Sequence, residues 1–201
     1  MDRLIIASGN TGKIREIKEI LKDLPLQVIS MKEAGYNPEF DETGATFAEN
    51  AMIKAKALSR VAEGIVLADD SGLEIDFLNG APGIFTSRFA GENTSQEEKN
   101  KKIINLLKGI DKKYRTARFV CSIAVVSRDF SFTVEDSVEG IISEEPRGNA
   151  GFGYDPIFFV PEYRKTFAEL PEEIKNKISH RARALEKLKL KLSDIYGRKH
   201  V

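Results

Sequence analysis

The sequence predicts an α/β protein built on a mixed sheet, and three observations carry that prediction. Leu4-Ile5-Ile6 reads as a short buried strand that passes through a glycine-bearing turn into a helix, where Ile14, Ile17, Ile20 and Leu21 recur at helical spacing. Ile65-Val66-Leu67-Ala68 is a second buried-strand run, ending in Asp69-Asp70-Ser71-Gly72. Residues 116–127 and 131–142 are long strand candidates joined by Arg128-Asp129-Phe130, which suggests an antiparallel hairpin and argues against a purely parallel sheet.

The remaining elements follow in order. Leu26-Gln27-Val28-Ile29-Ser30 is a strand candidate, and the glycine- and proline-bearing stretch after it, to Gly44, is a loop. Thr46 and Glu49 have capping-box spacing, and Phe47, Ala51, Ala55, Leu58 and Ala62 give the next helix its apolar face before Gly64 ends it. The Gly- and Pro-rich loop at 79–94 leads to a helix from about Ser95 to Leu107, with Gly109 beyond its end. After the hairpin, a loop at 144–156 precedes the strand Ile157-Phe158-Phe159-Val160. Two helices close the chain, one near Pro171 to Lys177 and one from Ser179 to Tyr196, with Gly197 as a stop signal. No repeat, low-complexity tract or linker interrupts residues 1–201, so one domain is expected.

Composition narrows the functional classes. The 31 basic and 31 acidic side chains cancel, so there is no global attraction to nucleic acid or membrane, and any anion must be held by a local cluster. The single cysteine, Cys121, excludes an intramolecular disulfide and reads as a small buried hydrophobe. With no signal-peptide pattern and no apolar run long enough to span a bilayer, a soluble cytoplasmic protein is expected.

Five features could carry chemistry. Ser8-Gly9-Asn10-Thr11-Gly12-Lys13 fails as a Walker A loop, because only two residues separate its glycines and Ile14 follows the lysine. It still places glycines and a cation at a strand-to-helix turn, where amides and the helix dipole favour a phosphate; an ordinary connection is the alternative. Asp69 and Asp70 repel one another directly after a buried strand, which suits a Mg²⁺ ion taking one or two carboxylates, or else marks a solvated turn. Glu42 is a second acidic candidate or a surface charge, whereas Glu49 already has its capping task. In Gly151-Phe152-Gly153-Tyr154-Asp155 the glycines would let a nucleobase stack on Phe152; core packing is the competing reading. Lys175, His180 and Arg181 bring three basic groups to the junction of the last two helices, with Ser179 as the N-cap of the second.

Taken in order, these stretches resemble the inosine/xanthosine triphosphate pyrophosphatases that remove non-standard purine nucleotides. The matching segments are 8–13, 42–57, 68–76, 80–91, 151–158 and 175–185, in order and nearly end to end. The resemblance implies a mixed, twisted sheet with helices on both sides, arranged as two lobes with the active site in the cleft between them. It implies a Mg²⁺-dependent hydrolase that cleaves dITP, ITP and XTP to the monophosphate and pyrophosphate, a house-cleaning activity on the nucleotide pool, carried out by a homodimer. By residue, it implies a phosphate loop of Ser8, Gly9, Asn10, Thr11, Gly12 and Lys13. It puts the metal on Glu42 and Asp70, with Asp70 catalytic and Ser71 beside the substrate. The remaining substrate contacts fall on Phe152, Gly153, Tyr154, Asp155, Lys175, His180 and Arg181. Phe85 and Phe89 stand where family members often carry Tyr, so hydrogen bonds from those hydroxyls are absent here.

The mechanism so implied has Glu42 and Asp70 holding Mg²⁺ against the triphosphate while Asp70 or Asp69 orients a water toward the α-phosphorus. Hypoxanthine and xanthine offer a carbonyl at purine position 6, to which His180 and Arg181 could donate, where adenine offers an amino donor. A pyrophosphatase of other base preference and a nucleotide-binding module without turnover are the competing functions; the intact acidic pair argues against the second.

Overall fold

The computed structural model of the chain describes residues 2–91 and 93–197. Its elements are β1 (Arg3–Ile6), α1 (Thr11–Leu21), β2 (Gln27–Ser30), α2 (Phe47–Ser59), β3 (Ile65–Ile75), α3 (Gln96–Leu106), β4 (Thr116–Val126), β5 (Ser131–Ile142), β6 (Phe158–Val160), β7 (Lys165–Thr166), α4 (Glu172–Ile178) and α5 (His180–Gly197). The strands form one sheet in the order β2-β1-β3-β4-β5-β6-β7. β1 is parallel to β2 and β3, with Leu4 opposite Val28 and Ile65, while β6 is antiparallel to both β5 and β7. The mixed sheet expected from the hairpin is the one observed.

Local chemistry explains most boundaries. Asn10 caps α1 by accepting from the Lys13 amide at 3.1 Å. Thr46 caps α2 by accepting from the Glu49 amide, but Glu49 returns its carboxylate to the Ala45 N–H, one residue earlier than a capping box requires. A full capping box joins Ser95 and Glu98 at α3. The expected loop at 79–94 contains a 3₁₀ turn at Gly83–Phe85, and the two-residue β7 is too short to leave a periodic signal in the sequence.

One expectation is corrected. The strand beginning at Ile65 does not end at Ala68; it continues through Asp69, Asp70, Ser71 and Gly72 to Ile75, and both aspartates are buried. The solvated-turn reading of the acidic pair therefore fails. The apolar run resumes at Leu73 and Ile75, both fully buried, and the intervening acids are tolerated in the strand because cations meet them: half-buried Lys13 and buried Arg181 at Asp69, and buried Lys54 at Asp70.

The chain divides into two compact units. The first comprises the segments up to Asp70, Cys121–Asp136 and from Arg181 onward; the second comprises Ser71–Val120 and Ser137–His180. In the first unit the two-residue strand period sorts the core onto two faces. Leu4, Ile6, Ile65, Leu67 and Ile123 pack with Ile17, Ile20 and Leu21 of α1 and Leu185, Leu188 and Leu192 of α5. The alternating residues Ile5, Ala7, Val66, Ala68 and Ala124 pack with Ala51, Ala55 and Leu58 of α2. Helices thus cover both faces of these strands. Each fully buried Leu or Ile contributes about 1.5–3 kcal/mol relative to exposure.

In the second unit, Leu73, Ile75, Val138 and Ile142 pack with Ile103 of α3 and with a cluster of phenylalanines. Phe119 lies 4.6 Å from Phe158, and Phe158 lies 5.1 Å from Phe167, between ring centroids. Cys121, in the first unit, is fully buried as expected, and desolvation pushes its thiol up to about 12, so it stays an inert apolar group.

Candidate active site

The site starts from the strand period. Residues 65, 67 and 69 of β3 share one parity and 66, 68 and 70 the other, so Asp69 continues the row that faces α1 and α5 while Asp70 continues the row that faces α2. Two adjacent carboxylates that would repel in a turn are thereby sent to opposite sides, each toward its own cation.

On the first face, Asp69 Oδ2 lies 3.0 Å from Lys13 Nζ, just inside the first turn of α1, and 3.2 Å from Arg181 Nη2 on α5. A second guanidinium nitrogen, Arg181 Nη1, donates to Glu16 of α1. Burial alone would push the Asp69 carboxyl up, but Lys13 and Arg181, with Lys54, outweigh it and hold the group well below the usual carboxylate range. Asp69 is therefore a fixed anion that orients Lys13. The turn that carries the cation, Ser8 to Lys13, is otherwise held locally: Ser8 Oγ accepts from the Asn10 amide at 3.2 Å. The N–H groups of Thr11 and Gly12 belong to the first helical turn, which has no carbonyl of its own to offer them. A Cβ added at Gly9 would meet nothing within 4 Å, so the loop backbone borders open space.

On the second face, Lys54 of α2 donates to Glu42 Oε1 at 2.9 Å and to Asp70 Oδ1 at 3.1 Å. One ammonium thus joins the two acids that the sequence singled out. Burial opposes the charge of Lys54, but Asp70, Asp69 and Glu42 outweigh that cost and raise it. Asp70 leans the other way: burial dominates and pushes its carboxyl up, against the pull of Lys54 and Lys13. Its second oxygen, Oδ2, is buried and has no hydrogen-bond donor among the described residues. A buried carboxylate oxygen without a donor, beside a second carboxylate, fits a hard cation that accepts one or two protein oxygens and fills its shell with water and phosphate. Among the described residues no group of three or more His, Cys, Asp or Glu is assembled, and a Mg²⁺ ion of this kind does not require one.

The second unit holds the glycine-aromatic loop. Gly151 and Gly153 both have positive φ, at 75° and 64°, and the turn between them directs the Phe152 amide to Asp155 Oδ2 at 2.9 Å. The same oxygen accepts from Lys175 Nζ of α4 at 2.6 Å, both side chains being buried, and the ammonium stands 4.6 Å from the Phe152 ring centroid. Asp155 therefore fixes the backbone and the cation beside Phe152 together. Tyr154 is a core residue whose hydroxyl donates to the Thr86 carbonyl at 3.0 Å. His180, at the start of α5, is buried with its ring stacked on Phe119 at 4.8 Å. Ser71 is half-buried in β3.

A Cβ at Gly151 would fall onto the Asp155 carboxylate, and alanine also disfavours the left-handed backbone there. Gly151→Ala is expected to cost about 1–3 kcal/mol and to lower the melting temperature by roughly 2–12 °C. An unchanged melting temperature would show that Asp155 can leave the loop freely.

The structure thus assembles Lys13 with Asp69, Glu42 with Asp70, and Phe152 with Asp155 and Lys175. Arg181, expected among the donors to a base, is fully buried with its guanidinium on Asp69 and Glu16. Two residues escaped the sequence. Lys54 falls on the buried stripe Phe47, Asn50, Ala51, Lys54, Ala55, Leu58, and a lysine at a core position of a capped helix is a signal that was legible. Glu16, buried beside Ile17, left a fainter trace of the same kind.

Comparison with known proteins supplies the context for this geometry. The Ham1 family model matches residues 4–191. The dITP/XTP pyrophosphatase of Bacillus subtilis is 51% identical over 189 residues, covering 94% of this chain and 96% of that protein. The solved structure of a HAM1 protein from Coxiella burnetii superposes with a TM-score of 0.87 at 43% identity, covering 96% of this chain and 100% of that one. The Ham1 protein of Staphylococcus aureus gives a TM-score of 0.85 at 42% identity, covering 96% and 98%. A match of this extent, over a sheet and helices laid down in the same way, establishes that the chain belongs to the Ham1 family.

Proposed function

We propose that this protein hydrolyses the non-standard purine nucleoside triphosphates dITP, ITP and XTP to the monophosphate and pyrophosphate in a Mg²⁺-dependent reaction. The observation that carries the reading is the pair Glu42 and Asp70, drawn together by Lys54 with one Asp70 oxygen buried and lacking a donor. A module that only bound nucleotides would have no need of that arrangement.

Glu42 and Asp70 would hold the Mg²⁺, whose charge, when it is bound, offsets that of the triphosphate and of the departing pyrophosphate. Lys13 and the first-turn amides of α1 hold phosphate oxygens, and Asp69 keeps the Lys13 ammonium from swinging into solvent. Asp69 is committed to Lys13 and Arg181, so Asp70 is the acid left to accept a hydrogen bond from the attacking water. Lys175, held by Asp155 beside Phe152, offers a donor to a base that presents a carbonyl and nothing to one that presents an amino group.

Pyrophosphate release from a panel of nucleoside triphosphates, with Mg²⁺ and with a chelator, tests the reading. dITP and XTP should turn over only with the metal and far faster than dATP. Release of orthophosphate instead, or equal rates for dATP, would overturn it.

We also propose a homodimer in the cytoplasm. Phe77 and Phe85 flank the Gly80-Ala81-Pro82-Gly83 turn with 47% and 54% of their surfaces exposed, a cost that a second copy would remove. No helix among the described residues is long and apolar enough to cross a membrane. Light scattering should give twice the chain mass at micromolar concentration; a monomer mass would refute the dimer.

A further inference from the structure

A cavity of about 440 Å³ lies in the second unit, lined by residues that take no part in the chemistry above. Three cations line it, Lys112, Arg115 and Arg147, and none of them forms an ion pair with a carboxylate among the described residues. Arg115 is the informative one. It is 3% exposed, and its guanidinium donates to three main-chain carbonyls: Nε to Ile142 at 2.7 Å, Nη1 to Leu107 at 3.0 Å and Nη2 to Ser143 at 2.7 Å. Those bonds use three of its five N–H groups and bring no negative charge, whereas buried charges are ordinarily paired. Lys112 and Arg147 both stand over the ring of Phe159, at 5.1 and 5.6 Å from its centroid, so one aromatic ring attracts two like charges at the same cavity. Glu144 and Glu145 also contribute to the lining and, like Lys112 and Arg147, are exposed; the charge of Glu144 acts on Arg115 but forms no ion pair with it, so the cations at the cavity outnumber the carboxylates by three to two.

We propose that this cavity is a binding site for a small phosphorylated anion, held by Lys112, Arg115 and Arg147 against Phe159. Three cationic donors, two of them guanidinium forks, suit a group with several acceptor oxygens and more than one negative charge better than a single carboxylate. The cavity has the size of a small-molecule pocket and admits either an inorganic anion or the phosphate of a nucleotide.

Calorimetric titration of the whole chain with inorganic pyrophosphate, and separately with a nucleoside monophosphate, tests the site against a Lys112→Ala/Arg147→Ala double variant. Both altered side chains are exposed and lie outside the active-site set, so the variant should fold, and an unchanged melting temperature without anion is the control. The wild type should show one more bound anion per chain than the variant, or an affinity there at least about tenfold higher, the loss of one charge-assisted contact or more. Saturation by pyrophosphate assigns an inorganic anion; saturation by the monophosphate alone assigns a nucleotide. Identical stoichiometry and affinity in the two proteins, or no binding beyond what a Lys13→Ala change removes, would overturn the site.

Discussion

Replacing Asp70 by asparagine should lower kcat for dITP by a factor of about 10² to 10³, roughly 2.7–4 kcal/mol of lost barrier lowering, while leaving the fold as stable as before or more so. The two halves of that expectation have different causes. Asparagine keeps the shape and an oxygen for Lys54 but not the charge that a cation and a water would use. The fold loses nothing, because burial, not pairing, dominates the Asp70 carboxyl and pushes it up: the charged form is the disfavoured one in the folded chain. Lys54 retains Glu42 as its counter-ion. Steady-state kinetics and a thermal melt on one preparation check both halves. Activity within about tenfold of the wild type, under roughly 1.4 kcal/mol, would remove Asp70 from the chemistry. A large fall in melting temperature would show that the carboxylate is structural.

The contrast between Asp69 and Asp70 also shows where the sequence stops being informative. Features whose cause lies within one turn of chain were legible: the strand and glycine turn before α1, the Thr46 cap, and the two strands around residues 127–130. The reading of Asp69-Asp70 as a strand end failed because the residues that make these acids tolerable in a strand are remote. Lys13 lies in α1 and Arg181 is 112 positions away, and no local window contains them. The candidate site was better marked than its supports. Glu42, Asp70, Lys13, Phe152 and Asp155 stood out as polar or aromatic residues in glycine-bearing turns or beside buried runs, and Lys175 as one of three basic groups at the junction of the last two helices. Lys54 and Glu16 were passed over because they occupy positions that a helical pattern assigns to the core, where a charge is taken for an interruption of the stripe before it is taken for a signal. The exchange of one charge per face follows from the strand period, a rule the sequence contains, but applying it requires knowing that the strand continues to Ile75.

Arg181→Ala should cost about 3–5 kcal/mol of stability, lowering the melting temperature by roughly 6–20 °C. The side chain is fully buried between Glu16 and Asp69, and its removal takes away the guanidinium that both buried carboxylates share, while Asp69 keeps its ion pair with Lys13. Breaking one partner out of such a cluster costs far more than the cluster's net worth, because the surviving charges keep their desolvation penalty. The coupling can be isolated. In a Glu16→Gln background one of the stranded charges is already gone, so the same Arg181→Ala change should cost at least about 1 kcal/mol less. Additive losses would mean that Arg181 is held by packing and not by charge. Kinetics on the same variants separates this supporting role from a direct contact with the base. A support for Asp69 and Lys13 acts on the phosphate end, which every triphosphate shares, so the dITP and dATP rates should fall together. A preference for dITP that collapses while the melting temperature holds would show that the guanidinium leaves Glu16 and Asp69 to meet the purine carbonyl during turnover.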